Sequence, residues 1–173
     1  MLTYPVDDIL TLSKLDSNLL VIAPDKVQPP LILEKALKMY ESEFQRADIK
    51  AAVEIESTYK DLNVEFVMMD ASRILQVIIN LVTNAIKFTQ GRDKRKVSLI
   101  LGASLQRPTG THYNVDFVPQ RNNRPNHDLS LDWGSGEDIY LQFACRDTGK
   151  GLTEDEMKLM FLRFSQASPK VRE

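Results

Sequence analysis

Residues 70–89 read DASRILQVIINLVTNAIKFT and carry the strongest helical pattern in the chain. Asp70 stands where an N-cap residue accepts from the backbone amides of the first turn, and Gly91 stands where helices commonly end. Apolar side chains recur every three or four residues, as one face of a helix requires, at Ile74, Val77, Ile78, Leu81, Val82, Ala85 and Ile86. The segment therefore predicts a helix with a broad apolar surface.

The other face of this predicted helix is polar. Its side chains follow the same spacing at Arg73, Gln76, Asn80, Asn84 and Lys87. A solvated outer face is one explanation, but such faces usually carry Glu and Lys, whereas Asn lowers helix propensity. Two asparagines one turn apart therefore indicate a use for their amides. Because amide oxygens can coordinate Mg²⁺ and Lys can meet phosphate charge, the stripe favours a magnesium-bound nucleotide.

A second motif, Asp147-Thr-Gly-Lys-Gly151, directly follows an alternating apolar run. Its two glycines allow a sharp turn and a close approach of the backbone to a flat ligand. The Asp147 carboxylate can accept from an exocyclic amine such as that of adenine. By itself the motif is weak evidence for a site, because such a sequence is more often only an ordinary tight turn.

The rest of the chain reads as mixed α/β. The other predicted elements are helices over residues 6–20 and 31–47, strands over 19–23, 51–56, 64–68, 97–101 and 139–145, and a short helix opened by a capping box of Thr153 and Glu156. Residues 102–138 are rich in Pro, Asn and Gly with weak periodicity. They predict a partly disordered surface excursion between neighbouring strands.

Composition excludes several classes of function. The chain has 173 residues with 43% apolar and 27% charged side chains, which is ordinary for one globular domain. A net charge of -2 provides no basic field, so we expect no nucleic-acid partner. No apolar run approaches the roughly 20 residues that cross a bilayer, so we expect no membrane contact. Cys145 is the only cysteine, which suits a reducing compartment, and the cytoplasm is the expected location.

The two motifs together resemble the sensor histidine kinase family. Residues 70–89 look like its N box, Asp147–Gly151 like its G1 box and residues 161–166 (FLRFSQ) like its F box. Residues 8–16 resemble the last turns of the dimerisation and phosphoacceptor hairpin. The resemblance implies an α/β fold for residues 21–173, a two-layer sandwich of a mixed β-sheet and helices. The end of a hairpin helix would precede it at residues 1–20.

The resemblance also implies ATP and Mg²⁺ as cofactors. The implied roles are Mg²⁺ ligand for Asn84, phosphate contacts for Asn80 and Lys87, an adenine contact for Asp147, the pocket floor for Gly149 and Gly151, and lid anchors for Phe161 and Phe164. Plain packing explains the two phenylalanines equally well. Asn80 is the expected catalytic residue because related ATPases place a glutamate base there. A neutral amide cannot activate water, which favours phosphoryl transfer over hydrolysis.

Two parts of the family pattern are missing. Neither His112 nor His127 stands in a helical His-Glu context, and no Gly-x-Gly box follows Phe164. We therefore expect a fragment with weak or absent ATP affinity, whose phosphoacceptor histidine lies outside this chain.

The expected partners are a second copy, through the hairpin helix, and a response-regulator receiver domain. Two alternatives stay open. The same fold can act as a non-catalytic docking or dimerisation module, or as an ATP-hydrolysing relative.

Overall fold

The computed structural model describes residues 22–113, 115–117 and 136–159. The elements within these ranges are, in chain order, β1 (Asp25–Val27), α1 (Pro29–Met39), α2 (Glu41–Arg46), β2 (Lys50–Ile55), α3 (Ser57–Asp61), β3 (Val67–Met69), α4 (Ala71–Thr89), β4 (Lys96–Ser104), β5 (Thr111–His112), β6 (Val115–Asp116), β7 (Tyr140–Asp147) and α5 (Glu154–Leu159). The helix predicted over residues 6–20 lies outside the described residues.

Helix α4 begins and ends where the sequence predicts. The Asp70 carboxylate accepts the backbone amide of Arg73 at 3.0 Å, so it caps the helix. Gly91 follows the end of the helix with a φ of 77°, in the left-handed region that favours glycine. The buried residues of α4 lie three or four apart, at Ile78, Val82, Ala85 and Thr89.

The apolar face of α4 is narrower than the sequence predicts. Val77 is 56% exposed and Leu81 is 39% exposed. Helix α4 packs against α1 and the sheet with its buried residues and with the half-buried Ile74, Leu75 and Ile86. Val77 and Leu81 do not belong to that core. Their spacing places them beside Asn80 and Asn84 on the solvent side of the helix.

The main sheet has the order β2-β4-β7 within the described ranges. Strand β2 runs parallel to β4, whereas β7 runs antiparallel to β4 with Asp147 opposite Val97. A parallel pair requires a crossover connection, and here the crossover includes α4. The core between this sheet and the helices includes Ile32, Leu33, Ala36, Ile78, Val82, Ala85, Val97, Leu99 and Leu101. The prediction of an α/β fold with a mixed sheet covered by helices is confirmed.

Near the first of the described residues, the Ala23 amide donates to the Asp70 carboxylate at 3.2 Å, beside the N-terminus of α4. Strand β1 follows and pairs antiparallel with β3. The strand predicted over residues 19–23 is wrong for Ile22 and Ala23, which precede β1. The strand predicted over residues 64–68 is observed as β3 at Val67–Met69, closer to α4. In both cases the partner strand, rather than the apolar run, sets the position of pairing.

The single helix predicted over residues 31–47 is divided into α1 and α2. Tyr40 separates them with a φ of -112° and a ψ of 16°, and its amide bonds to the Leu37 carbonyl at 3.2 Å. Phe44 lies beyond the break and is still buried in the core. Its apolar spacing is therefore compatible with one continuous helix, which explains why the sequence pattern does not reveal the break.

The β5–β6 hairpin lies on the face of the sheet opposite the helices. The Tyr113 hydroxyl donates to Glu56, and His112 Nδ1 is 2.7 Å from Gln142 Nε2. Strand β4 also continues to Ser104 rather than ending before Gly102. The predicted surface excursion therefore starts later than expected. Its hairpin is attached to the sheet by polar contacts, which the spacing of apolar residues in the sequence cannot predict.

Replacing Asp70 with Ala should lower the free energy of unfolding by about 1–2 kcal/mol at pH 7, because the helix cap is lost. Partial burial raises the pKa of Asp70, but hydrogen bonds from the Arg73 and Ala23 amides outweigh it and hold this pKa below its ordinary value. The contribution of Asp70 is therefore present above about pH 4 and is lost as the pH falls through the lower folded-state pKa. Urea denaturation across pH 2–7 measures it.

Asp93→Ala is the matched control, because Asp93 is exposed in the loop after α4. This control should leave the pH dependence of stability unchanged. If Asp70→Ala costs as much at pH 2 as at pH 7, the carboxylate is not the source of the stabilisation.

Candidate functional site

The polar stripe of α4 faces solvent. Asn80, Asn84 and Lys87 are all exposed, and their spacing places them on one side of the helix. The Thr83 hydroxyl donates to the backbone carbonyl of Asn80 at 3.1 Å, so this bond does not occupy the side-chain amide of Asn80. Two amides and one ammonium group are thus exposed together on one side of the helix.

The second motif begins at the end of β7, where Thr148 extends the pairing with β4. The Thr148 amide donates to the Lys96 carbonyl at 3.1 Å. Its hydroxyl donates to the Lys94 carbonyl at 2.6 Å and accepts from the Lys96 amide at 3.0 Å. These bonds fix the position of the Asp147–Gly151 loop, and Asp147 remains exposed at its start.

Gly149 joins the two motifs. Its amide donates to Asp147 Oδ1 at 2.7 Å, and a Cβ at this position would lie 2.8 Å from the carbonyl oxygen of Phe88. No side chain fits there without a shift of backbone, so the loop lies directly against the last turn of α4. Gly151 has a φ of 70°, again in the left-handed region. The structure therefore brings the loop to the end of α4 that carries Lys87.

Charged side chains surround this contact. The Nζ atoms of Lys87 and Lys150 lie 5.0 Å and 6.0 Å from the centre of the Phe88 ring. Lys150 also pairs with Glu156 at 3.1 Å.

The predicted capping box is confirmed, since the Thr153 amide donates to Glu156 Oε2 at 2.9 Å and the Glu156 amide donates to Thr153 Oγ1 at 3.2 Å. The Thr153 amide and Lys150 lower the pKa of Glu156, so its carboxylate is ionised at neutral pH.

The sequence motifs do not identify Phe88 and Lys150 as site residues. The helical spacing places Phe88 only near the end of the predicted helix and gives it no role. Lys150 could have been identified, because it stands between the two glycines of the carboxylate loop. Phe161 and Phe164, the predicted lid anchors, lie outside the described residues.

The chemistry of this donor set fits a magnesium-bound nucleotide. Asn80 and Asn84 offer oxygen ligands, Lys87 offers positive charge to phosphates, and Asp147 offers an acceptor. Gly149 leaves the loop without a side chain where it meets α4.

Burial, aided by the charge of Asp147, raises the pKa of the Cys145 thiol to about 12, so this thiol is neutral and a poor nucleophile.

The model of the family of histidine kinase-, DNA gyrase B- and HSP90-like ATPases matches residues 69–173. The chain belongs to this family. Histidine kinase 5 of Arabidopsis thaliana is 28% identical over 165 residues, covering 94% of this chain and 16% of that protein. The virulence sensor protein BvgS of Bordetella parapertussis is 26% identical over 161 residues, covering 93% of this chain and 10% of that protein. Among solved structures, Acinetobacter baumannii histidine kinase AdeS is 26% identical with a TM-score of 0.46, covering 56% of this chain and 44% of that chain.

Membership of this ATPase family confirms the resemblance drawn from the two boxes, and it supports nucleotide use by the chain. Both curated relatives named here are much longer proteins, of which this chain spans 16% and 10%. Within the described ranges, no helix has the length and apolar character needed to cross a membrane.

Gly149→Ala should destabilise the loop and lower the free energy of unfolding by about 1–3 kcal/mol, because its Cβ would collide with the Phe88 carbonyl. Chemical denaturation measures this loss. Gly136→Ala is the matched control, since a Cβ at Gly136 meets nothing within 4 Å. Equal stability of both variants would show that the loop does not lie against α4 as described.

Thr89→Val should raise the free energy of unfolding by about 1 kcal/mol in the same assay. Thr89 is fully buried, and its hydroxyl has no hydrogen-bond partner among the described residues. Valine keeps the shape and removes the unsatisfied group. Thr89→Ser keeps the hydroxyl, removes a methyl group and should lower stability by about 1 kcal/mol. A loss of stability in the valine variant would mean that the hydroxyl is satisfied.

Proposed function

We propose that this chain is the ATP-binding catalytic domain of a sensor histidine kinase in a phosphorelay. It would transfer the γ-phosphate of ATP to a histidine outside this chain. The observation that carries the proposal is the contact between Gly149 and the Phe88 carbonyl, because it places the carboxylate loop at the end of the helix that presents the amides. The names of the relatives, which include histidine kinases, support the same conclusion.

In this proposal each residue has a distinct task. The tasks are a Mg²⁺ ligand for Asn84, phosphate contacts for Asn80 and Lys87, recognition of the adenine amine for Asp147, the pocket floor for Gly149 and Gly151, and lid anchors for Phe161 and Phe164. Magnesium would neutralise phosphate charge and orient the transferred group. The exposure of Asn80, Asn84, Lys87 and Asp147 supports the roles proposed for these four residues, because a ligand can reach their side chains.

Asn80 favours transfer over hydrolysis. Its amide cannot take a proton from water at neutral pH, whereas hydrolysis requires a base at the attacking water. Phosphoryl transfer depends mainly on positioning and charge neutralisation, which amides and a lysine on a rigid helix can provide. Asn80 would therefore hold the phosphates in place while the acceptor histidine attacks.

The proposal extends to partners and location. A second copy would pair through a hairpin helix at residues 1–20, and a response-regulator receiver domain would accept the phosphoryl group. We propose the cytoplasm as the location, which suits the unpaired thiol of Cys145.

Asn84→Ala should weaken Mg-ATP binding by at least tenfold, because the proposed Mg²⁺ ligand is removed. Isothermal titration calorimetry with and without Mg²⁺ measures this loss in the present chain. In a chain extended at both ends, the same substitution should abolish labelling of a histidine by the γ-phosphate of ATP.

Ser72→Ala is the matched control, because Ser72 is exposed on the same helix, about 18 Å from Asn84 along its axis. This variant should bind Mg-ATP like the wild type. Normal histidine labelling by the Asn84 variant would contradict the proposal. A wild-type chain that binds no nucleotide, while its extended form labels no histidine, would favour the docking module instead.

A further inference from the structure

Lys150 lies at the junction between the carboxylate loop and α4, although neither box assigns it a role. Its backbone position is held by Gly149, which lies against the Phe88 carbonyl. Its ammonium group lies 6.0 Å from the centre of the Phe88 ring, the ring that Lys87 approaches to 5.0 Å. Two cations from different elements therefore converge on one aromatic side chain.

The partner of Lys150 is a carboxylate that already has a second task. Glu156 Oε1 accepts from Lys150 at 3.1 Å, while Glu156 Oε2 accepts the Thr153 amide that begins α5. The capping bond therefore persists when the bond to Lys150 is broken. The Lys150 side chain is 41% exposed, and ion pairs between partly exposed groups are weak and screened by salt.

We propose that Lys150 is a second phosphate-binding lysine, which exchanges the Glu156 carboxylate for the phosphates of a bound nucleoside triphosphate. The inference rests on the proposed function, since it names a further residue of the same site. A carboxylate and a phosphate oxygen are both anionic acceptors, so Glu156 occupies the contact that the phosphate takes over. The flexible four-carbon stem of lysine allows this exchange without movement of the loop backbone.

The charges of the site support the exchange. A triphosphate keeps net negative charge after Mg²⁺ binds, and Lys87 is the cation that the proposed function assigns to its phosphates. Lys150 would supply further positive charge, and its release from Glu156 would leave that carboxylate close to the phosphates. Glu156 should therefore oppose ATP binding, whereas Lys150 should favour it.

The test compares ATP with adenosine in calorimetric titrations of the full 173-residue chain with Mg²⁺. Lys150→Met should weaken ATP binding about three- to tenfold and leave adenosine binding unchanged, because adenosine has no phosphate. Lys150→Arg should keep ATP affinity within about twofold of the wild type. Glu156→Gln retains a capping side chain but removes the charge, so it should tighten ATP binding about two- to fivefold.

Lys60→Met is the control for net charge. Lys60 is exposed on α3, which lies beside Gly102, whereas Asp147 pairs with Val97 at the other end of β4. This variant should change neither affinity.

The possible results separate the two proposals. If the wild type binds both ligands and Lys150→Met keeps the ATP-to-adenosine ratio, the inference about Lys150 is wrong and the proposed function stands. Equal weakening for ATP and adenosine would also overturn it, because Lys150 would then act only on the shape of the loop. If the wild type binds neither ligand, the inference about Lys150 is wrong, whereas the proposed function fails only if a chain extended at both ends also labels no histidine. Thermal melting of each variant verifies that it is folded.

Discussion

The rotation of α4 about its own axis is the constraint on which both the core and the site depend. Each residue of an α-helix advances the side-chain direction by about 100°. Burial of Ile78, Val82 and Ala85 against α1 and the sheet therefore places Asn80 and Asn84 on the solvent side. A slip by two residues would bury the amides of Asn80 and Asn84 without partners, which costs about 1–3 kcal/mol for each group. The packing that stabilises the fold thus also orients the site.

The loop after β7 is attached to this helix through backbone rather than through side chains. The absence of a Cβ at Gly149 allows contact with the Phe88 carbonyl, while Thr148 bonds to the start of β4. Both supports are rigid elements, so the carboxylate of Asp147 is held relative to the amides of α4. Lys87 and Lys150, which lie near the Phe88 ring, add positive charge to this contact between the loop and α4.

The sheet also separates two regions of different chemistry. Its helix-covered face contributes apolar residues such as Leu99 and Leu101 to the core. Its opposite face carries the hairpin contacts of Tyr113 with Glu56 and of His112 with Gln142. The hairpin therefore lies across the sheet from α4.

The sequence by itself determined the position of α4, its Asp70 cap, the approximate positions of the main-sheet strands and the resemblance to histidine kinases. These depend on local spacing and on residue types within short motifs. Only the tertiary structure decided that Val77 and Leu81 are exposed, that Tyr40 divides a helix and that β1 pairs with β3. It alone showed that Gly149 lies against the Phe88 carbonyl and that the Lys150 ammonium group lies near the Phe88 ring. Periodicity reports the direction of a side chain around its own helix or strand, whereas these contacts join residues whose distance is set by the packing of separate elements.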